Sequence, residues 1–317
     1  MDKVAVLIPC YNEELTVEKV VKDFKEALPD ADIYVYDNNS KDKTYELALK
    51  AGAIVCKESA QGKGNVVRTM FQEVDADIYL LVDGDDTYPA DEAYKLIDEV
   101  KNGADMVIGD RLSNGTYASE NKRGFHNLGN NLVRWLINFI FKNNINDIMT
   151  GYRAFSRKFV KTNAIMSPGF QIETELTITS LVYRYRIVNV PIIYRDRPTG
   201  SESKLNTFED GFKVLLTLFD LFKDYRPLFF FFIISFIFFI LGLIIGIPVL
   251  VEFFEYHFIT KVPSAILASS LMVVAVLFII LGLILDHSAN EDKRNHEIVV
   301  NTWIENHTRS NRDGSDK

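Results

Sequence analysis

Cysteine is scarce in this sequence, and so is any surplus of positive charge. Only two of the 317 residues are cysteines, Cys10 and Cys56, so a disulfide framework is excluded and a reducing compartment is indicated. The formal net charge is −8 and no basic tract occurs, which argues against a nucleic-acid-binding protein. The N-terminal residues lead directly into a strand-like segment, so we expect no secretory signal.

Two phosphate-binding signatures are missing as well. Neither G-x-G-x-x-G nor a Walker A pattern follows the first apolar run. Their absence argues against a dinucleotide-dependent dehydrogenase and against a P-loop enzyme. The five histidines show no metal-ligand spacing, so a histidine-bound metal is not indicated either.

The sequence does contain two long apolar segments without charged residues. Leu228–Val251 and Ala265–Leu285 carry no charged residue, and each reaches the roughly 20 residues that a helix needs to cross ~30 Å of hydrocarbon. We therefore predict two membrane spans. Lysine and arginine flank the pair on both outer sides, at Lys223, Arg226 and Lys293 among others. The positive-inside rule then places both termini and the large N-terminal domain in the cytoplasm, with the protein in the plasma membrane.

A segment with a different pattern precedes the first span. Its apolar residues recur at spacings of four and three, which is one face of a helix: Phe208, Phe212, Leu215, Phe219 and Phe222. Such a helix could lie in the headgroup plane of the bilayer. An ordinary helix that packs on the N-terminal domain is the alternative.

The first 200 residues alternate between strand and helix patterns. Helices are predicted over Glu13–Leu28 and about Lys43–Ala51, and strands over Val4–Ile8, Ile33–Tyr36, Ala53–Cys56, Ile78–Val82 and Met106–Ile108. This series predicts an α/β fold with a Rossmann-like, mostly parallel sheet and helices on both faces.

The most informative motif is Asp83-Gly84-Asp85, at the end of the apolar run Ile78–Val82. Ligands of open α/β sheets bind at the carboxyl ends of the strands. Carboxylates are the ligands that Mg²⁺ or Mn²⁺ prefers, and such a metal usually bridges them to substrate phosphates. The motif therefore predicts a metal–diphosphate site, with a solvated acidic turn as the alternative.

Other polar segments follow neighbouring strands. Pro9–Glu14 follows the first strand and Asp37–Ser40 the second, so both would open toward the same edge as Asp83. The small-residue turn Gln61–Asn65 adds one cation, Lys63, that would suit a diphosphate.

Taken in order, these blocks resemble the family 2 glycosyltransferases of the GT-A fold, and in particular the branch of dolichol-phosphate mannose synthases and bacterial polyprenol-phosphate glycosyltransferases. The resemblance covers about residues 4–226 and rests on the following blocks: Val6–Glu14, Asp37–Thr44, Gly62–Gly64, Asp83–Asp85, Asp147–Phe155 and Arg197–Leu205. One departure is Thr87, where mannose synthases often place a glutamine metal ligand.

The resemblance implies roles for individual residues. Asp83 and Asp85 would hold Mg²⁺ or Mn²⁺. The residues expected to bind the nucleotide sugar are Pro9, Tyr11, Asn12, Glu13, Asp37, Asn38, Lys63, Asp83, Gly84 and Asp85. Those expected to take part in catalysis are Asp83, Asp85, Arg111, Arg197 and Lys204.

The acceptor can be argued from chemistry. An alcohol would need a general base, whereas a lipid phosphate is largely ionised at pH 7 and needs cations instead. Candidates for this clamp of cations are Lys122, Arg123, Arg195, Arg197 and Lys204, with contact to lipid headgroups as the alternative role.

Glu173 and Glu175 resemble an acidic pair near the family's acceptor site, and a solvated helix start explains them nearly as well. Asp147 and Arg153 are candidates for an ion pair beneath the site.

We therefore expect an enzyme that transfers one sugar, with inversion, from a nucleotide sugar to polyprenyl phosphate at the cytoplasmic membrane face. UDP-glucose or UDP-N-acetylglucosamine is the favoured donor and GDP-mannose the runner-up. The alternatives are a glycosyltransferase that extends a lipid-linked saccharide and a non-catalytic nucleotide-sugar-binding membrane protein. The oligomeric state stays open, with a homo-oligomer as one option.

The expected organisation has four parts. Residues 1–205 form the cytoplasmic catalytic domain and residues 206–226 the interfacial helix. Residues 227–286 form the membrane hairpin, and residues 287–317 form a polar cytoplasmic tail that we expect to be solvated and partly disordered.

Overall fold

The structure is a computed structural model, and it describes residues 2–113, 134–135, 137–139, 141, 143, 145–198, 216 and 218–315. Its chain divides into two compact units. The first comprises Met1–Leu218 and His296–Lys317, and the second comprises Phe219–Asn295. Lys122, Arg123, Lys204 and most of the proposed interfacial helix lie outside the described residues.

A seven-stranded sheet forms the centre of the first unit, with the order β3-β2-β1-β4-β6-β5-β7. The strands are β1 (Val4–Cys10), β2 (Asp32–Asp37), β3 (Ile54–Lys57), β4 (Ile78–Leu81), β5 (Met106–Asp110), β6 (Arg153–Ser156) and β7 (Ile187–Pro191). Only β6 is antiparallel to its neighbours β4 and β5. The expected α/β fold with a mostly parallel sheet is confirmed.

Helices flank this sheet and continue beyond it. They are α1 (Val17–Ala27), α2 (Thr44–Lys50), α3 (Lys63–Glu73), α4 (Ala93–Lys101), α5 (Arg157–Thr162), α6 (Ile172–Val182), α7 (Pro227–Tyr256) and α8 (Val262–Ser315). The apolar face of α1 is buried in the core through Val17, Val20, Val21 and Phe24. The helix expected from Glu13 starts four residues later, because Glu13–Thr16 form a turn in which the Thr16 N–H donates to the Glu13 carbonyl.

Strand direction decides what meets at one edge of the sheet. β1, β2 and β4 are parallel, with Cys10 opposite Asp37 and Leu7 opposite Leu81. Because β6 is antiparallel to both β4 and β5, β5 runs in the same direction as β4. The carboxyl ends of six strands therefore share an edge with the amino end of β6.

The amino end of β6 carries a fully buried arginine, Arg153. Its guanidinium donates to the carbonyls of Ile148 (2.5 Å) and Thr150 (3.0 Å) and to the Thr177 hydroxyl (2.9 Å). Burial lowers the pKa of Arg153 to about 10, which still leaves it charged at neutral pH. This arginine fixes the loop before β6 to α6.

The second unit is a helical hairpin. α7 and the part of α8 that follows the turn are long and apolar enough to cross a membrane, and most of each is exposed. Small and polar residues lie between the two helices: the Ser235 hydroxyl donates to the Ala275 carbonyl (2.7 Å), and Gly242 packs against Ala268 and Met272. Close packing at small residues is typical of helix pairs in lipid.

The described end of the segment before α7 belongs to this second unit. Residues 219–225 are helical, and Phe219 and Phe222 make edge contacts with Phe230 at ring-centroid distances of 5.0 and 5.5 Å. These two members of the predicted apolar stripe therefore pack on the first apolar helix.

The tail after Asp286, which we expect to be solvated and partly disordered, has a helical backbone as far as Ser315. α8 continues without a break from Val262 to Ser315. The residues of this tail are polar, but they contain neither proline nor an early glycine, the residues that most strongly terminate a helix, so the helix begun in the apolar segment is propagated.

Arg153→Ala is expected to destabilise the fold by about 3 kcal/mol or more, because it leaves a cavity and buried carbonyl groups without donors. Arg157→Ala is the matched control, since Arg157 pairs with the exposed Asp75 and Asp77; this substitution should cost about 1 kcal/mol or less. Thermal unfolding of the full chain in detergent measures both. Equal shifts in Tm would contradict the role assigned to Arg153.

Candidate active site

The first carboxylate of the Asp83-Gly84-Asp85 motif is held by a buried lysine. Lys63, the first residue of α3, places its ammonium 2.5 Å from Asp83 Oδ1 and 2.6 Å from Glu173 Oε1. The Asp83 side chain is 27% exposed, whereas those of Lys63 and Glu173 are 10% and 7% exposed. Burial by itself would lower the pKa of Lys63, but the two carboxylates outweigh it and raise that pKa, so the ammonium stays charged.

The second carboxylate is paired differently. Arg197, from the segment after β7, places its guanidinium 2.5 Å from Asp85 Oδ2. Thr87 donates its hydroxyl (2.7 Å) and its backbone N–H (3.2 Å) to Asp85 Oδ1. Burial, and then the charge of Asp83, raise the pKa of Asp85, while Arg197 and Thr87 act in the opposite direction. Thr87 thus orients the Asp85 carboxylate.

Glycines allow these carboxylates to approach the rest of the chain. A Cβ atom on Gly151 would lie 2.7 Å from Asp83 Cγ and 2.8 Å from its Oδ1, and closer still to Oδ2. A Cβ on Gly84 would lie 2.6 Å from the sulfur of Cys10, and the Gly84 carbonyl accepts a hydrogen bond from Thr16 (2.6 Å). A side chain at Gly151 would therefore displace the Asp83 carboxylate, and one at Gly84 would displace the Cys10 sulfur.

The end of β2 carries a carboxylate with one oxygen that has no partner in the part of the chain that the structure describes. Asp37 is 3% exposed, and its Oδ1 is buried without a hydrogen-bond partner among the described residues. Buried acceptors are rarely left unsatisfied, so this atom points to a donor supplied by a ligand. By contrast, Asn38 next to it makes four bonds with the 58–62 loop, donating to Glu58 and Ala60 and accepting from Gln61 and Gly62.

The loop after β1 is fixed against the loop after β2. Asn12 has a left-handed φ of 53°; its N–H donates to Ser40, and its side-chain oxygen accepts from the Lys41 N–H. The Glu13 N–H donates to the Thr44 hydroxyl at 2.8 Å. Pro9, near the end of β1, and Tyr11, in the loop after it, are half-buried. Four of the residues predicted to bind the nucleotide sugar, Pro9, Tyr11, Asn12 and Glu13, therefore lie together, beside the end of β2.

Arg111 is held in a buried ion pair. Its Nε and Nη2 donate to the two oxygens of Asp147 at 2.7 and 3.0 Å, and Nη1 lies 3.4 Å from the Tyr88 hydroxyl. The predicted pair of Asp147 with Arg153 is wrong, because Arg153 bonds the carbonyls of the loop that Asp147 opens. Arg111 lies at the shared edge, with its guanidinium directed at Asp147.

The acidic pair of α6 is buried at both positions, so its interpretation as a solvated helix start is wrong. Glu175 accepts the N–H groups of Met166 and Ser167 at 2.8 and 2.7 Å, which engages both of its oxygens. Glu173 pairs with Lys63, as described above. One carboxylate therefore braces a loop and the other faces the site.

The donor set fits a hard divalent cation. Two carboxylates one residue apart follow a buried strand, and the Asp83 side chain stays 27% exposed. Across the described ranges, no group of three or more His, Cys, Asp or Glu side chains surrounds a common point. A cation here would therefore need further oxygen ligands from substrate or water, as is usual for Mg²⁺.

Of the expected acceptor residues, Arg197 lies at Asp85 and Arg195 is exposed two residues earlier, where its N–H donates to the Thr87 carbonyl. Lys122, Arg123 and Lys204 lie outside the described residues. The sequence did not predict the close approach of Gly151 to Asp83 or the pairing of Lys63 with Glu173. No local pattern marks a pair 110 residues apart, whereas Gly151 lies inside the quoted Asp147–Phe155 block.

Comparison with known proteins agrees with this geometry. A family model described as glycosyl transferase family 2 matches residues 5–163. Glycosyltransferase AglJ of Haloferax volcanii is 36% identical over 231 residues, which cover 73% of this chain and 75% of the relative. The chain belongs to glycosyl transferase family 2.

Further similarities link this family 2 glycosyltransferase to lipid-phosphate enzymes. The dolichyl-phosphate hexose transferase of H. volcanii is 31% identical over 210 residues, covering 66% of this chain and 90% of that protein. A solved structure of glucosyl-3-phosphoglycerate synthase from Mycobacterium tuberculosis, in complex with Mn²⁺, uridine diphosphate and glucosyl-3-phosphoglycerate, has a TM-score of 0.56 at 21% identity, covering 69% and 80% of the two chains. That likeness establishes the shared fold.

Gly151→Ala is expected to displace the Asp83 carboxylate while the backbone keeps its fold, because the added methyl group meets only the movable end of that side chain. Mn²⁺ binding should weaken by about tenfold or more, since a charge-assisted ligand is misplaced. Titration of the purified protein with Mn²⁺ measures this. Gly169→Ala, where the methyl group would meet only the Gln171 side chain, is the control. Unchanged Mn²⁺ affinity in Gly151→Ala would contradict the assignment.

Proposed function

We propose that this glycosyltransferase transfers one sugar, with inversion, from a nucleotide sugar to polyprenyl phosphate at a membrane surface. The observation that carries the proposal is the set of groups at one sheet edge. Asp83 and Asp85, each paired with a cationic side chain, lie on the same edge as Asp37. One buried oxygen of Asp37 has no partner among the described residues. This combination suits a metal-bound diphosphate attached to a base.

Asp37 is the proposed base-binding group. A buried carboxylate oxygen accepts N–H groups, which both uracil and guanine present, so this residue alone does not select the donor. We favour UDP-glucose or UDP-N-acetylglucosamine, with GDP-mannose as the runner-up. The uridine diphosphate and Mn²⁺ named for the structural neighbour are consistent with this preference.

Asp83 and Asp85 are the proposed ligands of Mg²⁺ or Mn²⁺. When bound, such a cation would neutralise the diphosphate as it leaves. The protein's own contribution is to hold both carboxylates in place, through Thr87 on Asp85 and through the close approach of Gly151 to Asp83. Each carboxylate already has a cationic partner, Lys63 or Arg197, so positive charge is present at the site before a charged substrate binds.

The state of the acidic residues favours a phosphate acceptor over an alcohol. An alcohol would need a free carboxylate as general base, but Glu175 is engaged by two backbone N–H groups and Glu173 by Lys63. A phosphate acceptor needs cations, and Arg197 at Asp85 is suited to that role. The relative named as a dolichyl-phosphate hexose transferase supports the same class of acceptor. Extension of a lipid-linked saccharide is therefore the less supported alternative.

The two long apolar helices support membrane anchoring. We propose that α7 and the first part of α8 cross the bilayer, with lysine and arginine at both outer ends facing the cytoplasm. The catalytic unit and both termini would then be cytoplasmic. A lipid acceptor embedded in the same bilayer would be confined near the enzyme, which raises its effective concentration.

The proposal is tested with labelled UDP-glucose, UDP-N-acetylglucosamine and GDP-mannose, each incubated with polyprenyl phosphate and the full-length protein. An acid-labile lipid-linked sugar is expected, because glycosyl phosphates hydrolyse in mild acid. An acid-stable product would favour saccharide extension. No lipid product with any of the three donors would overturn the proposal.

In this assay Asp85→Asn should lower transfer by about a hundredfold or more, because it removes a charge directed at the metal. Excess EDTA should have the same effect on the wild-type protein. Asp98→Asn, at an exposed position on α4, is the control and should keep full activity. Transfer that survives both Asp85→Asn and EDTA would sink the metal assignment.

A second pair of substitutions separates donor from acceptor. Arg197→Ala should reduce transfer by about ten- to a hundredfold, the cost of one charge-assisted phosphate contact, with a smaller change in nucleotide affinity. Asp37→Ala should weaken nucleotide binding directly. Calorimetry with UDP and GDP, alongside the transfer assay, measures both, and Arg68→Ala on the exposed side of α3 serves as the control. The same nucleotide-binding defect in both variants would disprove the assignment of Arg197 to the acceptor and of Asp37 to the nucleotide.

A further inference from the structure

Lys63 occupies an unusual position for a lysine. Its ammonium is almost fully buried and lies within 2.6 Å of two carboxylates, Asp83 from the end of β4 and Glu173 from α6. An ammonium has three N–H donors, so two are used by these carboxylates and one is left for a ligand. Burying an amine at this cost in desolvation is favourable only where its charge is matched.

The backbone around Lys63 is fixed. Gly62 has φ +130°, and a Cβ atom on Gly62 or Gly64 would collide with the backbone of Pro168 or Ser167. The Asn65 N–H donates to the Pro168 carbonyl (3.2 Å), and Glu175 holds the N–H groups of Met166 and Ser167. The loop that supports the start of α3 is thus itself braced, and Lys63 cannot leave the site by a simple shift of its turn.

The two partners of Lys63 differ in accessibility. Asp83 is 27% exposed at its side chain, so a cation from solution can reach it, whereas Glu173 at 7% is closed off. Lys63 pairs with Asp83 Oδ1, so a divalent cation that takes this oxygen would displace the ammonium from it. The ammonium would keep Glu173 as its second partner.

We propose that Lys63 is an exchangeable counter-ion and that Glu173 is the positioning residue that retains it. In the ligand-free protein Lys63 neutralises Asp83. When a divalent cation takes Asp83, Lys63 stays on Glu173 and turns its free N–H groups to the diphosphate of the donor. The identity of the diphosphate ligand in this inference rests on the proposed function. The competition between Lys63 and a divalent cation for Asp83 does not depend on it.

The exchange predicts opposite effects of one substitution. In the full-length protein without nucleotide, Lys63→Met removes the cation that competes for Asp83, so Mn²⁺ should bind at least about threefold more tightly. At saturating Mn²⁺, the same variant should bind UDP or GDP about ten- to a hundredfold more weakly, because a charge-assisted contact is lost. Mn²⁺ electron paramagnetic resonance and calorimetry measure the two affinities.

If Glu173 acts by positioning Lys63, its substitution should affect nucleotide binding only when Lys63 is present. Glu173→Ala should weaken nucleotide binding at saturating Mn²⁺ by severalfold, because the ammonium loses its anchor. In the Lys63→Met background the same change should weaken it no further. A defect of equal size in both backgrounds would show that Glu173 does not act through Lys63.

Lys158→Met is the matched control, since Lys158 also pairs with a largely buried carboxylate, Asp105, at 2.6 Å; it should change neither affinity. Weaker Mn²⁺ binding in Lys63→Met, or no Mn²⁺ binding in any variant, would overturn the inference. The proposed function fails separately, by the absence of a lipid-linked product from wild-type protein. If Lys63→Met strengthens Mn²⁺ binding and weakens nucleotide binding, but the wild-type protein forms no lipid-linked product, the exchange at Lys63 is supported and the proposed acceptor is wrong.

Discussion

The site depends on one electrostatic constraint, which is the accumulation of negative charge at the end of β4. Asp83 and Asp85 lie one residue apart, and burial followed by the charge of Asp83 raises the pKa of Asp85. The described structure balances this charge with one cation for each carboxylate, Lys63 and Arg197. Because the balancing groups come from α3 and from the segment after β7, the charge of the motif draws distant parts of the chain to the same edge.

The antiparallel strand β6 makes this convergence possible. Inserted between β4 and β5, it brings its amino end to the edge where the other strands end. The block that leads into it then serves three purposes: Asp147 holds Arg111, Gly151 makes room for Asp83, and Arg153 binds the loop to α6. A single segment thus links the buried core to the reactive edge.

The same arrangement narrows the chemistry of this family 2 glycosyltransferase. The two carboxylates of α6 are engaged, Glu175 by backbone N–H groups and Glu173 by Lys63. Cations and an unpartnered buried oxygen on Asp37 remain at the edge. Such a site is suited to charged phosphate groups on both substrates, which is consistent with a lipid-phosphate acceptor and with two apolar helices in the same chain.

The sequence by itself determined the α/β class, the first five strands to within two residues at either end, the uncharged helices and the Asp83–Asp85 motif, because these follow from local periodicity and strand-end chemistry. It missed β6 and β7, and it placed disorder where α8 continues to Ser315. Only the tertiary structure decided that Asp147 pairs with Arg111, that Glu173 pairs with Lys63 and that Gly151 faces Asp83. These contacts join residues 36, 110 and 68 positions apart, and they depend on strand order and direction, which local sequence patterns do not encode.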